Sequence, residues 1–160
     1  MVTEGVKVPL LREIVTEPDG RRRLVVRFHD GQSRAWNSKR RFVCVVCGAQ
    51  WGKTSFGSHW MHRDIVEKGS GDYLVVTAAF PLFKNQLQPS FIELFDQMLR
   101  LGRWREADKV FESHERERGG PSWRVIFGTA TNPESIESIT ANAAWCDEAG
   151  QHQFPREAWE

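Results

Sequence analysis

The sequence predicts an α/β domain with a mainly parallel central sheet flanked by helices, and with β-hairpins at the N-terminus and in the interior. Short β-branched apolar runs alternate with longer stretches of helical periodicity. Turns rich in glycine and proline separate these runs. Since the chain has 160 residues, of which 40% are apolar and 27% charged, it can bury one sizeable core.

The first turn signal is EPDG, residues 17–20, which lies between KVPLLREIV and RRRLVVRF. Proline-aspartate-glycine between two apolar runs predicts a β-hairpin. We therefore expect residues 1–27 to form an N-terminal hairpin extension and residues 28–160 to form the main domain.

The segment CGAQWGKT, residues 47–54, comes close to the phosphate-loop pattern G-x-x-x-x-G-K-[ST], although Cys47 stands at the first glycine position. The run before it, RFVCVVC, is typical of a strand buried on both faces, and residues 55–67 are helix-like. Strand, loop and helix are in the order that a phosphate loop requires. The main domain is therefore predicted to be a P-loop NTPase.

In such a loop, backbone N–H groups surround the phosphates, while the lysine reaches the β and γ oxygens and the hydroxyl binds Mg²⁺. Lys53 and Thr54 match the last two positions. The predicted nucleotide-binding segment consists of Gly48, Ala49, Gln50, Trp51, Gly52, Lys53, Thr54 and Ser55.

A zinc site is the alternative for this region, because Cys44-x-x-Cys47 is followed by His59-x-x-His62. The histidine spacing is one residue short of the usual range, and a metal at the cysteines would break the predicted strand. The simpler interpretation is that the cysteines, which include Cys146, are reduced core thiols.

The remaining elements follow from the same patterns. DYLVVTAAF predicts a strand, and residues 81–102 predict an amphipathic helix that Pro89 interrupts or kinks. Two β-prone runs on either side of residues 119–121 predict a second hairpin, and residues 131–142 predict a loop.

AAWCDEAG supplies two carboxylates, Asp147 and Glu148, at the end of a predicted strand. Asp147 would complete the Mg²⁺ shell opposite Thr54, and Glu148 would activate the attacking water. An Asp-Glu pair is common at strand ends, so its meaning depends on Lys53 and Thr54. Together these residues predict hydrolysis of a Mg²⁺-bound nucleoside triphosphate.

Gln32 lies about twenty residues before Lys53. Its amide can donate to and accept from an adenine edge at once. From the residues alone, however, a surface turn residue is the better interpretation.

Net charge and hydropathy indicate the cellular location of the protein. The net charge of +1 provides no global basic field for nucleic acid, and the local basic clusters are interpreted as solvated surface. No apolar run approaches the ~20 residues of a membrane span. Because the N-terminus also lacks a signal-peptide core, we expect a cytoplasmic protein without membrane contact.

From Phe28 onward, the chain resembles the large terminase subunit of tailed bacteriophages, the ATP-driven motor that packages DNA. HDGQSRAWNSKRRFVCVVCGAQWGKT is similar to that family's adenine motif and Walker A segment. YLVVTAAFPLFKNQLQPSF and VIFGTATNPESIESITANAAWCDEAGQ resemble the segments that lead to Walker B. The resemblance gives Gln32 the adenine role, Lys53 and Thr54 the phosphate and metal roles, Asp147 the metal role, and Glu148 the catalytic role.

The resemblance also implies double-stranded DNA as substrate, a ring-forming homo-oligomer, and the portal protein and small terminase subunit as partners. The expected location is the host cytoplasm, at the procapsid portal. The domain is expected to continue beyond Glu160, where the family has a nuclease domain; nuclease activity is not expected in this segment.

Two departures concern arginine. Many terminases carry one at the place of Ala49 and another before Walker B, where this chain has Ile136, Glu137 and Ser138. Arg116 or Arg118 of a neighbouring subunit could serve instead. One alternative is a helicase-type DNA-dependent ATPase, which Gln32, Asp147 and Glu148 would also suit. The other is a nucleotide-binding assembly module with little turnover, because it has no arginine finger of its own.

Overall fold

The computed structural model describes residues 11–48, 50–114, 122–151 and 154. The chain divides into two compact units, Met1–Gly52 and Lys53–Glu160. The strands are β1 (Leu11–Thr16), β2 (Arg22–Arg27), β3 (Gly71–Thr77), β4 (Gly102–Arg105), β5 (Val110–Ser113), β6 (Trp123–Thr129) and β7 (Ala141–Asp147). The α-helices of the described residues are α1 (Asp30–Trp36), α2 (Lys53–Lys68), α3 (Phe80–Leu82) and α4 (Gln88–Ile92). There are also two π-helical turns, Phe83–Leu87 and Glu93–Met98, and a 3₁₀ turn, Pro133–Ser135.

In the first unit, β1 and β2 form the hairpin that EPDG predicts. They pair antiparallel, from Leu11 opposite Arg27 to Thr16 opposite Arg22. The turn closes with a hydrogen bond from the Gly20 N–H to the Glu17 carbonyl oxygen (2.9 Å), and Gly20 has a φ of +83°. Glycine is favoured there because it adopts this left-handed conformation without a steric penalty.

The strand predicted at residues 41–47 is not formed. This segment is irregular, and the side chains of Phe42 and Val46 are 83% and 91% exposed. A strand must satisfy its backbone N–H and C=O groups through a neighbouring strand. Among the described residues of the first unit, β1 and β2 pair only with each other, so the apolar run has no sheet to join.

The second unit contains a five-stranded mixed sheet with the order β4-β5-β6-β3-β7. β3 pairs in parallel with β6 and β7, whereas β5 pairs antiparallel with β4 and β6. The predicted P-loop NTPase fold with a mainly parallel sheet is therefore wrong. Half of the pairings in this sheet are antiparallel, and the strand that should precede the phosphate loop is missing. The internal hairpin does form, because β5 pairs with β6.

The longest helix, α2, and the ring of Phe91 contact the same face of the sheet. Val75 of β3 is in register with Phe127 on one side and Trp145 on the other, so all three side chains point the same way. The ring of Phe91, in the helical stretch of residues 80–98, lies 4.9 Å from that of Phe127. Gly57 of α2 lies against Trp145. α2 and Phe91 of the helical stretch thus lie on the same face of the sheet, which is a second departure from the flanked sheet that the sequence predicts.

The sequence predicts that Pro89 interrupts or kinks the helix of residues 81–102, and the α-helical hydrogen-bond pattern does break beside it, although the helical stretch does not end there. A π-helical turn, Phe83–Leu87, comes just before Pro89, and the Gln88 N–H bonds to the Phe83 carbonyl five residues back. This wider turn relieves the local crowding that a proline ring creates in an α-helix. The stretch therefore continues to Met98, and its phenylalanines reach the core.

The opposite face carries a smaller apolar cluster. Val76, Ala78, Ala130 and Phe154 are buried together there, with Cys146 packed against them. Phe154 matters for the site, because it fixes the chain that follows β7 to the sheet.

We predict that Gly57→Ala destabilises the protein. In a helix interior this change is normally stabilising by about 1 kcal/mol. Here the added Cβ would lie 2.1 Å from the Trp145 ring, so the sign should reverse. Overpacking of this kind costs about 1–3 kcal/mol, which denaturant unfolding would measure.

Gly150→Ala is the matched control, because a Cβ there meets nothing within 4 Å. Its stability should stay within about 0.5 kcal/mol of wild type. A Gly57→Ala variant as stable as the control would show that α2 and β7 do not pack this closely.

Candidate nucleotide and metal site

The side chains predicted to bind phosphate and metal lie at the start of α2. Lys53 and Thr54 occupy its first turn, and both are half-buried, as is Ser55. The N-terminus of a helix carries backbone N–H groups without intrahelical partners and a partial positive charge. Anionic groups are therefore stabilised at this end of α2.

The segment before α2 belongs to the first unit. Gln50 and Gly52 have φ values of 65° and 85°, both left-handed, while Gly48 is exposed. Glycine accommodates this conformation freely, but Gln50 does so at a conformational cost. Ala49 lies outside the described residues.

The central contact is between Thr54 and Asp147. The Thr54 hydroxyl donates to Asp147 Oδ2 at 3.0 Å, although the two residues are 93 positions apart. Asp147 is the last residue of β7 and only 6% exposed. The structure thus brings together the two side chains that the sequence predicts as ligands of one metal ion.

Strand register explains where Asp147 points. It lies opposite Thr77 at the carboxyl end of β3, and Thr77 lies opposite Thr129 of β6. The three residues share the sheet face on which α2 packs. Ligands of open α/β sheets bind at the carboxyl ends of parallel strands, which is where this row lies.

Burial raises the pKa of the Asp147 carboxyl above its usual value. The negative charge of Glu148 acts in the same direction, while the Thr54 hydrogen bond and the positive charge of Lys53 oppose both. Lys53 and Glu148 are thus close enough to Asp147 to influence its ionisation. A buried carboxylate of this kind is costly to the fold unless a cation compensates it.

Glu148 follows β7 directly and has a φ of 56°. A non-glycine residue in this left-handed region is uncommon, and such residues concentrate at functional sites. Its side chain is half-buried, and Oε2 accepts a hydrogen bond from Gln151 Nε2 at 3.3 Å. The sequence analysis missed Gln151; its spacing of three residues from Glu148, across a turn with Gly150, was the available signal.

Gln32 lies in α1 of the first unit and is 2% exposed, so its interpretation as a surface turn residue is wrong. Its Nε2 donates to the Trp51 carbonyl oxygen at 3.3 Å. Its Oε1 is buried, and no described residue donates a hydrogen bond to it. An acceptor in this state favours a ligand with an N–H group.

His29 supports Gln32. Its Nδ1 accepts hydrogen bonds from the backbone N–H groups of Gly31 (3.1 Å) and Gln32 (3.4 Å) at the start of α1. The proton of a neutral ring must then be on Nε2, which lies 3.3 Å from the Trp51 carbonyl oxygen. The His29 and Trp51 rings also meet edge to face, with centroids 4.7 Å apart.

The residues of the zinc alternative have other surroundings. Cys44 is exposed, and Cys47 is half-buried. His59 is 1% exposed within α2, and His62 packs edge-on against Phe95 with a centroid distance of 5.9 Å. Among the described residues, no group of three or more His, Cys, Asp and Glu side chains is arranged to hold a metal.

Some predicted features lie outside the described residues. These are the candidate arginines Arg116 and Arg118 and the final helix-like residues 158–160.

Comparison of the chain with protein-family models, with curated proteins and with solved structures found no significant match. Within the described part of the chain, every helix is too short or too polar to cross a bilayer.

We predict that Asp147→Asn is more stable than wild type at pH 7. The raised pKa means that the fold favours the neutral carboxyl, so wild type loses stability as pH rises through the folded pKa. Asparagine keeps the shape and can still accept from Thr54. The advantage should disappear below the unfolded pKa of about 3.9, where wild type is protonated in both states.

Urea unfolding at a series of pH values would measure this difference. Asp72→Asn is a suitable contrast, because Asp72 forms an ion pair with Arg124 (N···O 2.6 Å), and its neutralisation should not be stabilising. An Asp147→Asn variant less stable than wild type at pH 7 would contradict the argument.

Proposed function

We propose that this chain binds Mg²⁺ and ATP at the start of α2 and hydrolyses the terminal phosphate bond of ATP. The observation that carries the proposal is the 3.0 Å hydrogen bond between the Thr54 hydroxyl and the Asp147 carboxylate. Mg²⁺ prefers oxygen ligands and retains several waters, so one hydroxyl and one carboxylate at this spacing fit its needs. Burial of Asp147 adds support, since a cation would offset its cost.

Lys53 is the residue proposed to meet the phosphate charge. It lies in the first turn of α2, where the positive end of the helix dipole also favours an anionic phosphate. Its positive charge acts on Asp147, so it is near the proposed metal position.

Glu148 is the proposed general base. It is adjacent to the metal ligand in the chain, half-buried, and attached to a backbone in an uncommon conformation. A carboxylate beside the metal-bound phosphate would orient the attacking water and accept its proton.

The biological role we propose is that of a terminase motor, which couples ATP hydrolysis to translocation of double-stranded DNA into a capsid. The residue resemblance supports this role, and Gln32 is its proposed adenine-recognition residue. The buried, unsatisfied Gln32 Oε1 suits an adenine amino group as donor. On this proposal the chain acts in the host cytoplasm as a ring-forming oligomer, together with the portal protein and the small terminase subunit.

Two alternatives remain as proposals. A helicase-type ATPase would use the same residues, and strand separation would distinguish it. A nucleotide-binding module with little turnover is favoured by Ala49 and Glu137, which stand where many terminases have arginines. Phosphate release that rises when double-stranded DNA is added favours the motor over the module.

We predict that Lys53→Ala weakens binding of Mg²⁺ and ATP by about ten- to hundredfold, since charge-assisted hydrogen bonds contribute about 1.5–3 kcal/mol. Isothermal titration calorimetry would measure the change. Lys84→Ala is the control, because Lys84 is exposed on the helical stretch of residues 80–98. Equal ATP affinity in wild type and Lys53→Ala would remove the basis of the proposed site.

We also predict that substitutions of the two acids affect ATP binding differently. Asp147→Ala should weaken both binding and hydrolysis, because Asp147 holds the metal in the ground state. Glu148→Gln should retain ATP binding, while turnover falls by about 10²–10⁴, the usual contribution of a general base. Calorimetry and phosphate release on the same preparations separate the effects. If Glu148→Gln turns over like wild type, or loses binding as Asp147→Ala does, the roles are wrongly assigned.

A further inference from the structure

We propose that Gln151 is a positioning residue that orients the Glu148 carboxylate towards the attacking water. The proposal rests on the function proposed above. It begins from the hydrogen bond that Gln151 Nε2 donates to Glu148 Oε2 at 3.3 Å. Gln151 thus contacts Oε2, and on this proposal Oε1 faces the attacking water.

The backbone fixes Gln151 firmly enough for this task. Its N–H donates to the Glu148 carbonyl oxygen at 3.0 Å, and its own carbonyl accepts from the Phe154 N–H at 2.9 Å. Phe154 is 8% exposed and packs in the apolar cluster with Val76 and Ala78. Since β3 carries Val76 and pairs with β7, the turn is attached to the sheet that ends in Asp147.

Glu148 needs such support. A half-buried glutamate has three rotatable side-chain bonds, and fixing them costs up to about 2 kcal/mol of side-chain entropy. A general base must nevertheless lie within hydrogen-bonding distance of its water. The side-chain amide of Gln151 donates a hydrogen bond to the carboxylate but does not transfer its proton to it. Glu148 can therefore still accept the proton of the water.

The side-chain and backbone contributions of Gln151 can be separated. The two backbone hydrogen bonds of Gln151 do not involve its side-chain amide, so a side-chain variant should keep the turn. Gln151→Met has a similar length and flexibility but lacks the N–H donor. Gln151→Lys keeps an N–H donor with comparable reach.

For Gln151→Met we expect kcat to fall about tenfold, since loss of a supporting hydrogen bond typically costs 10- to 100-fold in activity. KM, ATP affinity and Tm should stay at wild-type values. Gln151→Lys should recover most of the lost kcat. Gln97→Met is the matched control, because Gln97 is exposed in the π-helical turn Glu93–Met98, and its kcat should not change. These constants are measured with saturating Mg²⁺ and with double-stranded DNA present.

A second readout does not depend on turnover. The Gln151 side-chain amide protons should exchange with solvent faster in Glu148→Ala than in wild type, as followed by NMR on ¹⁵N-labelled protein. Equal exchange rates would overturn the contact itself.

The outcomes distinguish this inference from the proposed function. If wild type fails to bind Mg²⁺ and ATP in calorimetry, the proposed function is wrong, and the positioning role falls with it. If wild type hydrolyses ATP and Gln151→Met has an unchanged or higher kcat, only the positioning role is wrong. If kcat, ATP affinity and Tm all fall in Gln151→Met, the role of Gln151 is purely structural, and the inference is overturned.

Discussion

The packing of α2 on β7 is the constraint on which the candidate site depends. Near its start, α2 presents Gly57 to the Trp145 ring, and only a residue without a side chain fits there. At its other end, Lys68 Nζ bonds to Asp64 Oδ2 (2.7 Å) and to the Asn142 carbonyl oxygen (3.0 Å). These contacts fix the helix along the whole strand. Thr54 therefore meets Asp147 at the carboxyl end of β7.

Two features of the site are energetically unfavourable for folding, unlike the packing in the rest of the second unit. Asp147 is a buried carboxylate whose pKa is raised by burial, and Glu148 has a left-handed backbone. Neither feature helps the chain to fold. Natural sequences tolerate such costs where a ligand or a reaction requires them, and the surrounding structure must then hold the residues in place. Here the backbone hydrogen bonds of Gln151 with Glu148 and with Phe154 do so on one side, and α2 does so on the other.

Residues 41–47 do not form the strand that precedes the helix in a phosphate loop. A phosphate loop derives its specificity from a strand, a loop and a helix in fixed order, and here the strand is absent. The functional proposal therefore rests on two elements that do form, α2 and β7, and on the contact between Thr54 and Asp147. Position in the sequence still counts, since Lys53 and Thr54 occupy the first turn of a 16-residue helix.

The sequence by itself determined the local elements: the hairpin at EPDG, α2, β3, the antiparallel pair β5 and β6, and the Asp-Glu pair at the end of β7. Turn residues and apolar periodicity act over a few positions, so these features can be predicted without knowing their neighbours. Only the tertiary structure decided that β7 pairs with β3, that residues 41–47 stay outside a sheet, and that Gln32 is buried. Strand partners, burial and contacts such as Thr54 with Asp147 depend on residues far apart in the chain, and no local pattern encodes them.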